Sequence, residues 1–274
     1  DGDGDGDGDG DGDGDGDGDI GLCPPDDNAD ATLTGYVWAP NGEIPVSGAL
    51  VYTAPEAPDG INDGVYCAEC VELNCNLVDT VLTDSDGSFS LPTNSGDDKY
   101  LVVQKGQFLT YTQIDIAVGD NPVADEDSTL PGEWNPNQGK FIPRIAVANG
   151  SYDRLEDALA KMGLGDTDIM GFEEEMVPGS ANFDLWDNGR NPATDGHVSQ
   201  GTFDDLISDP DLLAQYHVIF VPCSNDAFLD DLEHAREHRA VRVHGDGAIT
   251  NASAAERVAE RPVKRAQRAA HLYT

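Results

Sequence analysis

Basic residues are scarce in this chain: 15 Lys and Arg stand against 53 Asp and Glu in 274 residues, a formal net charge of −38. A surface of that sign repels phosphate backbones and anionic lipid, so nucleic acid and acidic membrane are set aside as partners. Long apolar runs are also missing. None approaches the roughly 20 residues that cross a bilayer as a helix, so no transmembrane span is expected in this stretch. Histidine is absent from the first 196 positions, which removes imidazole chemistry from the whole N-terminal half. The chain opens on Asp1, and a signal peptide or lipid-anchor cysteine is expected upstream.

What is present falls into zones. Residues 1–19 are ten Asp alternating with nine Gly, a tract with nothing to bury and maximal backbone freedom to lose. Residues 1–28 are therefore expected to form a disordered, self-repelling spacer. Carboxylates are hard oxygen ligands, which makes weak, diffuse Ca2+ association the sharper reading. Plain alternation matches neither an EF-hand loop nor a glycine-rich calcium repeat, and no cofactor is expected.

Between Ile20 and Asp230 there are 37 acidic and 7 basic residues, whereas residues 231–274 hold 6 acidic and 8 basic. A switch this abrupt is what a shifted reading frame produces. A functional basic arm and a solvated helix, with a helical stretch at Ala254 to Ala270, are the competing readings of the tail, and the nucleotide sequence tests the frame.

Residues 31–118 carry short β-rich runs between turn signals: "TLTGYV", "VSGALVYT", "DTVLT", "GSFSLP", "YLVVQK" and "TYTQIDIAV". Alternation of Leu33, Gly35 and Val37 with Thr32, Thr34 and Tyr36 suits a half-buried strand. Pro40-Asn41-Gly42 and Asp84 to Gly87 supply the turn chemistry. A small β-sandwich is expected over 29–119, then a Pro/Gly/Asp-rich linker over 120–139. The motifs "GYVWAPNGEIPVSGALVYT", "TVLTDSDGSFSLP" and "YLVVQKGQF" resemble a carboxypeptidase regulatory-like domain of the transthyretin-like type. That resemblance implies a noncatalytic accessory or adhesive module.

The stretch "VYCAECVELNC" places Cys67, Cys70 and Cys75 within nine positions of a chain with five cysteines. A thioredoxin-like redox role wants Cys-x-x-Cys at a helix start in a βαβ unit, and this one interrupts a β domain. Zinc needs four ligands, and Cys23 would have to be the fourth. Disulfides among Cys23, Cys67, Cys70 and Cys75 suit a secreted-type chain whose small sandwich gains from cross-links, with the pairing open, and free thiols are the remaining reading.

Over 140–230 the texture changes. "FIPRIAVANG" reads as an apolar strand, and "SYDRLEDALAKMG" as an amphipathic helix with Ser151 as N-cap and Gly163 as C-cap. Its apolar face is expected to be Leu155, Ala158, Leu159 and Met162. A further helical stretch, "GTFDDLISDPDLLAQY", precedes the strand "HVIFVPCSND". This is the opening of a parallel α/β unit, incomplete at its C-terminal end. It resembles flavodoxin-like and class I glutamine-amidotransferase-like domains.

Loops at the carboxyl ends of parallel strands bind ligands in such folds, so Asn149, Gly150, Ser151, Ser224 and Asn225 are expected to line one crevice. Cys223 sits where an amidotransferase-like fold keeps its nucleophile. It lacks the glycine-flanked elbow and an assignable base, His197 falling in a loop and His217 just before a strand, so no catalytic residue is assigned.

The whole arrangement of spacer, cysteine-bearing sandwich and α/β unit resembles surface proteins of myxobacteria and their relatives. It implies an exported location, extracellular or at the cell surface, secreted or attached to the outer membrane, and brings no established reaction; polysaccharide, a surface protein or divalent cations are the expected ligands. A noncatalytic binding or structural role is expected; a hydrolase or amidotransferase using Cys223 is the alternative.

Overall fold

A computed structural model describes residues 23, 28–62, 64, 79–222, 241–243 and 248–251. The Asp-Gly spacer, Cys67, Cys70, Cys75, Cys223, Ser224, Asn225 and the rest of the tail lie outside the described residues.

Six strands follow the six β-rich runs: β1 (Ala31–Tyr36), β2 (Leu50–Ala54), β3 (Asp79–Leu82), β4 (Ser88–Thr93), β5 (Gly96–Lys105) and β6 (Phe108–Ile116). Alternation along the first of them is borne out: Leu33 and Val37 are buried, while Tyr36 is 45% exposed. Gly35 is small for a reason, because a Cβ there would lie 3.0 Å from the Phe89 ring.

The segment expected as a linker is instead built into this unit. β7 (Gly119–Pro122) pairs in parallel with β1, a short helix α1 (Asp125–Ser128) follows, and β8 (Lys140–Phe141) pairs with β6. Its polar composition conceals two apolar anchors, Val123 and Leu130, which pack into the sandwich core. The Ser128 hydroxyl donates to Tyr36 O at 2.8 Å, and Trp38 Nε1 donates to Asp125 Oδ1 at 3.0 Å.

The sheets run β4-β1-β7 and β3-β2-β5-β6-β8. Leu33, Phe89 and Leu91 from the first meet Val51, Leu101 and Val103 from the second in one core. Two sheets closed over a shared apolar layer make a sandwich.

The remaining elements are β9 (Ile145–Asn149), α2 (Leu155–Leu159), β10 (Thr167–Met170), β11 (Glu173–Met176), β12 (Asp184–Asp187), β13 (Ser199–Thr202), α3 (Phe203–Ser208), α4 (Pro210–Leu213), β14 (Val218–Phe220), β15 (Val241–Val243) and β16 (Ala248–Asn251). The sheet order is β13-β12-β9-β14-β16-β15, parallel from β13 to β14, with β16 antiparallel to β14. The two tail strands thus extend the sheet beyond β14. β10 and β11 form a separate two-stranded ribbon.

Strand β9 shows why the sheet needs cover on both faces. Its Ala146 and Ala148 pack under α3 and α4 with Phe203, Leu206 and Leu213, while Ile145 and Val147 pack on the other face with Leu159 and Leu164. An unbroken apolar run is what a central parallel strand requires. Strand outweighs helix throughout, and the class is a β-rich α/β protein with mixed sheets.

Helix α2 departs from expectation three times. It starts at Leu155 with no side-chain cap, because the Ser151 hydroxyl donates to Gly189 O at 3.2 Å instead of capping. Its buried face includes Glu156 and Asp157, while Ala158 is exposed and Met162 is 44% exposed. Ion pairing reverses the apolar pattern here: Arg154 Nε lies 2.8 Å from Glu156 and 3.1 Å from Asp157, and Asp157 Oδ1 accepts from Met176 N at 2.8 Å. Gly163 has φ +93° and is a kink inside the helical turn that follows α2, whose C-cap is Gly165 rather than the expected Gly163.

Candidate functional site

At the carboxyl edge of the parallel sheet, β9 and β12 deliver adjacent loops. Asn188 N donates to Asn149 O at 3.0 Å, and Ser151 reaches Gly189 O. Asn149 and Gly150 are buried and Ser151 is exposed, so the three described members of the expected crevice do share one edge. Both side-chain amide atoms of Asn149 are buried without a hydrogen-bond partner among the described residues.

The residues that organise this edge were absent from the sequence reading. Glu156, 1% exposed, holds Arg154 at 2.8 Å and Arg190 at 3.3 Å, and Arg190 reaches Asp195 at 2.9 Å. Burial works against the charge on Arg154, but Asp157, Glu156 and Glu175 outweigh it and hold the guanidinium above its ordinary range. Arg154 and Arg190 therefore brace the loops after β9 and β12 through the Glu156 carboxylate they share. The only sequence signal was their recurrence near acids, which this composition makes commonplace.

The opposite, amino edge holds an open cleft of about 770 Å³ where the sandwich meets the α/β unit. Arg144 precedes β9, Asp184 opens β12 and His217 precedes β14, so three parallel strands point their starts at it. Arg144 Nη1 donates to Gln215 Oε1 at 2.6 Å, and its Nε and Nη2 donate to Asp184 Oδ2 at 3.3 Å each. The guanidinium carbon lies 4.5 Å from the centre of the Tyr216 ring.

The Tyr216 hydroxyl donates to Asp184 Oδ2 at 2.6 Å, and Gln200 Nε2 donates to Asp184 Oδ1 at 3.0 Å. Burial, then the bond to Asp184 and its charge, push the phenol well above its ordinary pKa, so Tyr216 stays a donor. His217 Nδ1 accepts from Arg144 N at 2.8 Å, which assigns the ring proton to Nε2, facing Asn62 O at 3.4 Å.

Across the cleft stands Trp134, 49% exposed and edge-on to Phe141 with ring centroids 5.3 Å apart. It comes from the segment read as a linker. Buried Ile142, Ile145 and Phe183 form the apolar lining.

Cys23 is disulfide-bonded and 3% exposed. Its backbone N donates to Thr80 Oγ1 at 2.9 Å, tying it to β3. A disulfide sulfur offers no thiolate, so in this state Cys23 is not a zinc ligand. Among the described residues, no three His, Cys, Asp or Glu side chains are grouped to hold a metal, and no helix is long and apolar enough to cross a membrane. Compared with protein-family models and with curated proteins, the chain matches none.

Proposed function

We propose that this is an exported or surface-tethered, noncatalytic binding or structural protein in which a β-sandwich and an α/β unit act as one rigid body. The observation that carries this reading is the joint between them. A Cβ on Gly132 would lie 2.1 Å from Gly163 O, one on Gly163 would lie 2.5 Å from Asn41 N, and Asn41 Nδ2 donates to Lys161 O at 3.1 Å. Backbones pressed this closely form a fixed interface, and the cleft beside it is a preformed recess rather than a gap between hinged domains.

The disulfide at Cys23 supports an oxidising, exported setting. The two-sheet sandwich and its turn motifs support the carboxypeptidase regulatory-like reading. The parallel order β12-β9-β14 supports a flavodoxin-like reading, in which the short β13 is an added outer strand.

Turnover assays on ester and amide substrates, with the native protein and a Cys223→Ala variant, test the proposal. A binding role predicts no turnover in either form. Activity in the native protein that Cys223→Ala abolishes would replace the proposal with an amidotransferase- or hydrolase-like enzyme.

A further inference from the structure

We infer that the amino-edge cleft is a binding site for an uncharged carbohydrate chain. The inference rests on the binding role proposed above and names its ligand class.

Charge decides the first step. Among the described residues that line the cleft, Arg144 and Asp184 are the only permanently charged side chains, and they neutralise each other in an ion pair. An anionic ligand would find no uncommitted cation and would meet the field of a chain of net charge −38. A cation would find Asp184 with both oxygens already accepting hydrogen bonds. An uncharged ligand meets neither obstacle.

Hydrogen-bonding capacity decides the second. Asn62 from the sandwich and Asn182 from the α/β unit are exposed residues of the cleft lining whose side chains make no hydrogen bond to any described residue, and Gln215 is held there by Arg144. Each amide offers donors and an acceptor, so an apolar ligand would strand them at a cost in affinity. The ligand must carry donors and acceptors together and present an apolar face to the half-exposed Trp134.

Backbone geometry separates a sugar from a peptide, the other neutral chain with both kinds of group. An extended peptide gains affinity by pairing along a free strand edge. The cleft lies at strand starts, where Arg144 N and the following strand backbone are already bonded within the protein, so no ladder is on offer. Sugar rings, with hydroxyls around the rim and C–H groups on the faces, match amides around a tryptophan.

Titration of the full chain with neutral glucose-, mannose-, galactose- and N-acetylglucosamine-based oligosaccharides, followed by calorimetry and tryptophan fluorescence, tests the inference. At least one should bind in the micromolar to millimolar range. Trp134→Ala and Asn182→Ala should each weaken that binding roughly tenfold or more, about the effect of losing one well-formed contact. Trp38→Ala, whose indole is engaged by Asp125 outside the cleft, should leave it unchanged.

Unfolding curves matching the parent would show that the variants are folded. The inference is overturned if no neutral oligosaccharide binds, if binding survives both cleft substitutions, or if polygalacturonate or a polar peptide library binds better. Those results leave the noncatalytic reading standing, which only Cys223-dependent turnover would remove.

Discussion

Gly163 is pressed against the backbone of Asn41 so closely that a Cβ on the glycine would lie 2.5 Å from the Asn41 nitrogen. The glycine that kinks the helical turn after α2 thereby also receives the Pro40-Asn41-Gly42 turn of the sandwich. Its φ of +93° is a second constraint, since side chains other than hydrogen rarely adopt it. Gly163→Ala should destabilise the protein by about 2–5 kcal/mol, combining backbone strain with overpacking. Gly171→Ala, at φ +75° with nothing within 4 Å, should cost only about 1 kcal/mol. Urea unfolding of both variants checks this; equal losses would mean that the joint contributes nothing.

Glu156 is the buried hub of the carboxyl edge, and removing it takes away the one carboxylate that Arg154 and Arg190 share, leaving Arg154 with Asp157 and Glu175 and Arg190 with Asp195. Glu156→Ala should cost about 2–4 kcal/mol, the low side of the range for breaking a buried ion pair because both guanidinium groups are partly exposed. Glu133→Ala, which breaks the exposed contact of Glu133 with Lys140, should change stability by less than about 1 kcal/mol. Thermal unfolding distinguishes them, and similar shifts in both variants would contradict the assigned role of Glu156.

Three carboxyls are held below their usual range: Asp30 by the Ser95 N–H and hydroxyl, Asp86 by the Ser88 hydroxyl and N–H, and Asp205 by the Thr202 hydroxyl and N–H. Unfolding returns each to about 4, so the unfolded chain binds more protons in acid. The stability they contribute is fully present above about pH 4 and is lost as pH falls through the depressed folded values. Asp205→Ala should lower the melting temperature at neutral pH and flatten its acid decline. An acid limb as steep as that of the parent would exclude this contribution.

In alkali the sign reverses. Burial pushes Tyr52 from 10 up to about 12, so its stabilising effect is complete below pH 10 and is lost as pH rises toward 12. A two-unit lift corresponds to roughly 2–3 kcal/mol. Tyr52→Phe should remove that part of the alkaline destabilisation, and denaturant midpoints measured across this range would show it; an unchanged profile would count against it.

The Cys23 disulfide should be worth about 2–4 kcal/mol. Cys23→Ser should lower the unfolding midpoint accordingly, and added reductant, which also opens the second pair among the four cysteines, should lower it by at least as much. Protein purified without reductant should show one free thiol, that of Cys223; more would argue against a staple using the other four cysteines.

The sandwich strands, their turns and the β9, α3, α4 and β14 elements were legible because periodicity and turn chemistry are local. Leu33 and Val37 alternate inward whatever they pack against, and Thr202 caps α3 through Asp205, three residues away. The Asn149–Ser151 edge was legible for the same reason, since a strand's end marks its carboxyl edge. α2 was misread because two acids sit on its buried face, and only partners elsewhere in the chain make that tolerable. Trp134 was overlooked because Pro, Gly and Asp around it read as linker.

The sequence by itself determined a β-rich α/β chain of strongly negative charge, with its strand positions and its turn glycines. Only the tertiary structure decided where a ligand could sit. Arg144 and Asp184 are 40 residues apart, and Arg144 and Gln215 are 71 apart, so no local pattern links them. They meet because parallel strands gather their starting residues at one edge, and the sandwich closes against that edge through contacts between backbones, which leave no mark in side-chain periodicity.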